Sequence, residues 1–404
     1  MDAVCAASIC DMRSIIAAVL LLAVFSLAPL CAETQKVKVF ILAGQSNAEG
    51  YGLLRTLDQL GEHPTHGGLL AKLKAKDGPL SERDDVTIYW NKESKEQKHG
   101  PLSAEWGAMT GESIGPELMF GTVLGDAYEA PVLIIKTAWG GKSVWSDFRS
   151  PGAGEMTWNE KRVLKRDRHL RPGESYRMMV SEIKGALEKI AEIVPGYRGQ
   201  GYELAGLAWF QGWNDYCEWH LQLDGKPVGM GLIDRYQHNL VALFRDLREE
   251  LGAADMPIAI GELGVGGHEM AERAKDPDDH EAVAMVRFRA AQKAVAEDSS
   301  LLGKLTFVPT LDYWDARLQE LRVMSDAFWQ EKQKKGIADT EENHLPTKAL
   351  NDEFLRRGGH WVCHYNGSAT SYCLVGKALA EALLEKQITP VVETGEAKSK
   401  ASGK

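Results

Sequence analysis

An α/β fold, a three-layer sandwich with a mainly parallel, flavodoxin-like sheet and helices on both faces, is predicted by three observations. Short apolar runs rich in β-branched residues alternate with longer amphipathic stretches. The runs are apolar throughout instead of at every second residue. The first three end in glycine-bearing polar segments. A continuous apolar run marks a strand buried on both faces, as parallel sheets require. The amphipathic stretches between the runs supply the crossovers.

The first strand is expected at 37–43 (Val-Lys-Val-Phe-Ile-Leu-Ala), ending at Gly44. Residues 131–138 repeat the pattern and end at Gly140-Gly141, and 204–210 end at Gln211-Gly212. A fourth run, 257–261, ends at Glu262, and a fifth, around 305–311, is weakened by Pro309. Helices are expected at about 115–128, 174–194, 232–252 and 282–298, with a last amphipathic one at 368–386. The segment 53–105 is long and polar with one strand at 86–90, and is expected to be an insertion rather than a domain. With no internal repeat and no Pro-rich linker, one domain over 33–390 and a polar tail at 391–404 are expected.

At the N-terminus, Arg13 precedes the apolar stretch Ser14–Leu30, followed by Cys31-Ala32 and the polar Glu33-Thr-Gln-Lys36. A positive residue, an apolar run and small residues before a polar start make a secretory signal, so 1–32 is expected to be cleaved and the protein exported. No later stretch is apolar enough for stable membrane insertion. Of the six cysteines, Cys5, Cys10 and Cys31 fall in the signal. That leaves Cys217, Cys363 and Cys373 and room for at most one bridge, with Cys363 and Cys373 the pair close in sequence. The net charge of −10 carries no basic footprint for nucleic acid. The sequence does not speak to the oligomeric state.

Parallel sheets bind ligands outside the carboxyl ends of their strands, so the first three strand tips should share one rim. Gly44-Gln45-Ser46-Asn47 puts a serine hydroxyl at the first tip, as a nucleophile or merely as a helix cap. Gln211-Gly212-Trp213-Asn214-Asp215 puts a side-chain amide at the third, where it can donate to an oxyanion or shape a turn. His364, just before the last helix, is placed to reach the same rim.

In order and in position at strand ends, Gly44-Gln-Ser-Asn47, Gly141, Gly212-Trp-Asn-Asp215 and His364 resemble the blocks of the SGNH hydrolases. The match is closest to the sialate O-acetylesterase-like branch, which includes carbohydrate acetylesterases. Ile114-Gly-Pro-Glu117, Lys136-Thr-Ala-Trp-Gly-Gly-Lys-Ser143 and Trp209–Asp215 resemble that branch too. The resemblance implies a serine esterase that removes acetyl or other short acyl groups from carbohydrate or another small ester, without metal or other cofactor. Ser46 would be the nucleophile and His364 the general base. Ser46 N–H, Gly141 N–H (with Gly140 the alternative) and the Asn214 side chain would form the oxyanion hole. Gln45 and Gln211, at the same tips, are expected to line the substrate.

Many members of that superfamily place an aspartate three residues before the histidine, where this chain has Trp361. The orienting carboxylate therefore comes from elsewhere or is absent; Glu262 is the expected source, with Asp352 and Asp315 in reserve. Gly111-Glu-Ser113-Ile-Gly115 fits a nucleophile-elbow string, but no good strand precedes it. His360 and His364 have a metal-ligand spacing without an HExxH motif. A non-catalytic carbohydrate-binding module on the same fold, using some of the 11 tryptophans, is the alternative. Such a module has no need for Ser46, Asn214 and His364 together. Asn366-Gly-Ser368 is a glycosylation sequon by pattern.

Overall fold

The computed structural model describes residues 35–74, 78–92, 96–166, 171–301 and 304–388. The segment expected to be a signal (1–32), the tail beyond 388, and Cys5, Cys10 and Cys31 lie outside the described residues. From Lys36 onward the described residues form one compact unit.

The central sheet has seven strands: β1 (Val37–Gly44), β2 (Arg83–Lys92), β3 (Glu96–Leu102), β4 (Val132–Ala138), β5 (Tyr202–Phe210), β6 (Ile258–Gly261) and β7 (Leu305–Val308). Their order across the sheet is β7-β6-β5-β1-β4-β2-β3. All neighbours are parallel except β2 and β3, which form an antiparallel hairpin at one edge. Without that hairpin the order is the flavodoxin-like 2-1-3-4-5, with the switch point at β1 between β4 and β5. The segment 53–105 thus contributes two strands to the sheet, besides a long 3₁₀ helix at Leu54–Glu62.

Eight helices matter here: α1 (Ser46–Glu49), α2 (Glu117–Ala127), α3 (Glu174–Glu188), α4 (Tyr236–Glu250), α5 (His280–Ala296), α6 (Ala316–Lys335), α7 (Lys348–Arg357) and α8 (Ala369–Ile388). α2 and α8 pack on each other and on the sheet, while α3, α4 and α5 form a second layer touching β4 and β7. The apolar runs are explained by this double cover: β1 and β4 are buried over nearly their whole length. β7 stops at Val308, one residue before Pro309, which has no N–H for the ladder.

One residue breaks the apolar pattern of β4. Lys136 is fully buried, and its Nζ donates to Glu117 Oε2 at 2.9 Å and to the carbonyls of Glu49 (2.8 Å) and Trp106 (2.6 Å). Burial pushes Lys136 down and Glu117 up, each opposed by the charge of the other. Because Glu49 ends α1, the pair fastens the helix that carries Ser46. Lys136→Met leaves a buried carboxylate without its cation and should lower the unfolding free energy by about 3–5 kcal/mol. Adding Glu117→Leu should recover most of that loss. A Lys136→Met protein as stable as wild type in denaturant titrations would refute the pairing.

Candidate active site

β1 delivers Ser46 to the sheet's carboxyl edge through a turn that only glycine fits. A Cβ at Gly44 would lie 2.1 Å from the Phe210 carbonyl oxygen at the end of β5. Gln45 is the N-cap residue of α1, its carbonyl accepting from Ala48 and Glu49, so Ser46 is not the cap. Being a single turn, α1 has little dipole of its own. The donors around Ser46 therefore matter one by one.

The loop after β4 brings Gly140 beside Ser46: a Cβ there would come within 3.8 Å of Ser46 Cβ. Gly141 has φ +72° and faces open space. From the tip of β5 comes Asn214, half-buried, and its amide is turned by Gln45. Gln45 Oε1 accepts from Gln211 Nε2 (3.1 Å) and from the backbone N–H of Gly212 and Asn214 (3.2 Å each). Three donors fix that end of Gln45 as the oxygen. Its Nε2 then donates to Asn214 Oδ1 at 2.7 Å. Asn214 is left presenting its NH₂ group. Gln45 and Gln211, expected to line the substrate, are both buried, and their amides are engaged inside the protein.

Asp215 ties the loops after β4 and β5 together. Its carboxylate accepts from Gln211 Nε2 (2.6 Å) and from the backbone N–H of Val144 and Trp145, just beyond Gly141. Burial pushes its pKa up to about 7, against the pull of those hydrogen bonds.

His364 stands on a loop fastened to α1: Asn47 Nδ2 donates to the Cys363 carbonyl at 3.0 Å, and Asn47 Oδ1 accepts from Tyr372. After His364 the backbone takes two left-handed steps, Tyr365 and Asn366, both at φ +51°. For non-glycine residues each step costs about 1–2 kcal/mol. The turn is held by Gly264 N–H donating to the Tyr365 hydroxyl, and by Asn366 Nδ2 donating to Gln319. It aims the Asn366 carbonyl at the N–H groups of Gly359 and His360, 2.9 Å each, which folds His360 back over His364. The two rings meet Nδ1 to Nδ1 at 3.2 Å. Tyr51 stacks on His364, centroids 4.0 Å apart and planes 9° from parallel. Burial first, and His360 second, hold His364 down at about 4.

The carboxylates expected to orient His364 are engaged elsewhere. Glu262 Oε2 accepts from Thr310 N–H, and its carbonyl accepts from the Thr310 hydroxyl, clamping the tips of β6 and β7. Burial raises its pKa, against the Thr310 amide and Arg289. Asp315 caps α6 and pairs with Arg357, and Asp352 pairs with Lys348 on the surface of α7. Ser113 is fully buried and donates to the Gly50 carbonyl, so its hydroxyl pins a loop. Cys217, Cys363 and Cys373 are free thiols. Among the described residues no three His, Cys, Asp or Glu side chains gather as a metal-holding group. Sequence reasoning missed Tyr51 and the contact of His360 with His364; the spacing of the two histidines was the available signal.

A family model described as carbohydrate esterase, sialic acid-specific acetylesterase matches residues 36–302. The chain belongs to this family. The match takes in Ser46, Gly141, Asn214 and Glu262, and ends before His360 and His364. Among solved structures, a protein from Arabidopsis thaliana is similar at 15% identity over 87% of this chain and 98% of that one, with a TM-score of 0.43. A carbohydrate acetylesterase from Xanthomonas citri is similar at 13% identity over 81% of this chain and 56% of that one, with a TM-score of 0.38. No curated protein sequence matches. For this family member no described helix is long and apolar enough to cross a membrane.

Proposed function

We propose that the chain is an exported serine esterase that removes O-acetyl groups from carbohydrate through an acetyl-serine intermediate. The observation that carries the proposal is the Gln45 relay, which leaves the Asn214 amide as a donor beside the strand tip that holds Ser46. A binding module has no use for an amide oriented at such internal expense.

In the proposed reaction, His364 Nε2 takes the proton of Ser46 Oγ as that oxygen attacks the acetyl carbonyl. Ser46 N–H, Gly141 N–H and Asn214 Nδ2 receive the negative charge on the carbonyl oxygen. Collapse expels the sugar oxygen, which takes the proton back from His364, and water then releases acetate by the same route. Family membership supports an acetylated sugar as substrate. Trp361 adds support: it is 63% exposed and stands 5.9 Å from His364, offering a flat apolar face to a sugar ring. Export rests on the signal-like N-terminus, and N-terminal sequencing of secreted material tests it.

The direct test is acetate release from O-acetylated sialic acid, with peptide mapping of the site labelled by an organophosphonate. Label on Ser46 together with sugar deacetylation supports the proposal. A folded protein that binds the sugar without releasing acetate would return the fold to a binding role. Asn214→Ala should lower kcat by roughly 10²–10³-fold with KM little changed, because the donor acts on charge that develops only in the transition state. An equal rise in KM at constant kcat would instead make Asn214 a ground-state contact.

A further inference from the structure

We propose that His360 is the positioning residue for His364, with a neutral imidazole doing what a carboxylate does beside most catalytic histidines. This rests on the acetyl-serine reading above and names the group that reading lacks.

The geometry allows few alternatives. Two ring nitrogens 3.2 Å apart attract only if one carries a hydrogen and the other a lone pair. For His364 to act as a base at Nε2, its hydrogen must sit on Nδ1. His360 Nδ1 must then be the acceptor, with the His360 hydrogen on Nε2. The His360 backbone is held on both sides: its N–H donates to the Asn366 carbonyl at 2.9 Å, and its carbonyl accepts from Arg322 at 3.1 Å. Tyr51 stacks on both rings, at 4.0 Å from His364 and 5.1 Å from His360. The pair is therefore fixed in plane and in distance before any substrate arrives.

The charges around His360 keep the acceptor neutral. Burial disfavours its protonated form first, followed by Arg322 on α6 and then Arg55, whose guanidinium donates to the Gly358 carbonyl. Of the nearby acids, Asp326 pairs with Arg322, and Glu341 acts on Arg55. The other groups against the ring are Trp361, His364 and Tyr51. A protonated His360 would turn a donor toward His364 and destroy the arrangement, so the two cations protect the working tautomer.

The test combines kinetics with ring-nitrogen NMR on the full chain. In the wild type, the ¹⁵N shifts of His364 should report a hydrogen on Nδ1; a hydrogen on Nε2 would overturn the proposal without any variant. His360→Phe keeps the ring and removes the acceptor. It should lower kcat by about 10–100-fold at nearly constant KM and shift His364 toward the Nε2–H tautomer. His360→Asn, which keeps an acceptor oxygen as in Cys-His-Asn sites, should recover most of the loss. Full activity in His360→Phe, beside inactive Ser46→Ala and His364→Ala, overturns the role of His360 alone. Full activity in Ser46→Ala overturns the acetyl-serine reading, and this inference with it.

Discussion

Ser46→Ala is expected to lower kcat for an acetylated sugar by on the order of 10⁶-fold while leaving the fold intact. The hydroxyl is the only atom lost, and Gln45, not Ser46, caps α1, so no helix end is disturbed. The loss falls on chemistry: without Oγ no acetyl-enzyme forms, and any remaining turnover is direct attack of water on a carbonyl still polarised by Gly141 and Asn214. Circular dichroism, acetate release and the organophosphonate label, measured together, check this. Wild-type turnover in the variant would move the nucleophile off Ser46. Ser113 is no ready substitute, because its hydroxyl is fully buried and hydrogen-bonded to the Gly50 carbonyl.

Removing the base should be nearly as severe. His364→Ala is expected to cost roughly 10⁴–10⁶-fold in kcat, with sugar affinity little changed. The wild-type pH profile carries a separate signature. Burial and His360 hold His364 at about 4, below the usual 6.5. The base works only when unprotonated, so kcat/KM should rise with pH through about 4 and be level by pH 6. An acid limb near 6.5 would mean that the free enzyme leaves His364 open to water. The same shift acts on stability with a definite sign. Between about 4 and 6.5 the unfolded chain binds a proton that the folded chain refuses, so stability falls as the pH drops through that window.

The strand tips were legible because parallel strands are apolar throughout and stop at glycine. Ser46, Asn214 and His364 could be placed on one rim from order alone. What escaped detection has physical reasons. β3 (Glu-Gln-Lys-His-Gly-Pro-Leu) is an edge strand that neither alternates nor runs apolar, so it looks like loop. α6 buries little more than Leu318, Leu321, Ser325 and Lys332 of its 20 residues, which leaves almost no periodic stripe. Gln45 and Gln211 sit where a substrate-binding pair would sit, yet their burial is set by the approach of β1 to β5, which no local pattern encodes. Glu262 occupies a rim position by sequence, but Thr310, 48 residues later, takes up its carboxylate. The contact of His360 with His364 depends on two left-handed residues, one of them a tyrosine, and left-handed tyrosines cannot be foreseen from composition.

That turn also bears on the sequon. Asn366 is 1% exposed, and its Nδ2, the atom a glycan would take, donates to Gln319. In the folded chain the acceptor is closed. A secretory apparatus that glycosylates chains as they emerge meets Asn366 before α6 and the loop have come together, and a sugar placed there would keep them apart. Were the chain exported through such an apparatus, the same asparagine would be either a glycan anchor or the brace that folds His360 onto His364, according to whether glycosylation or folding came first.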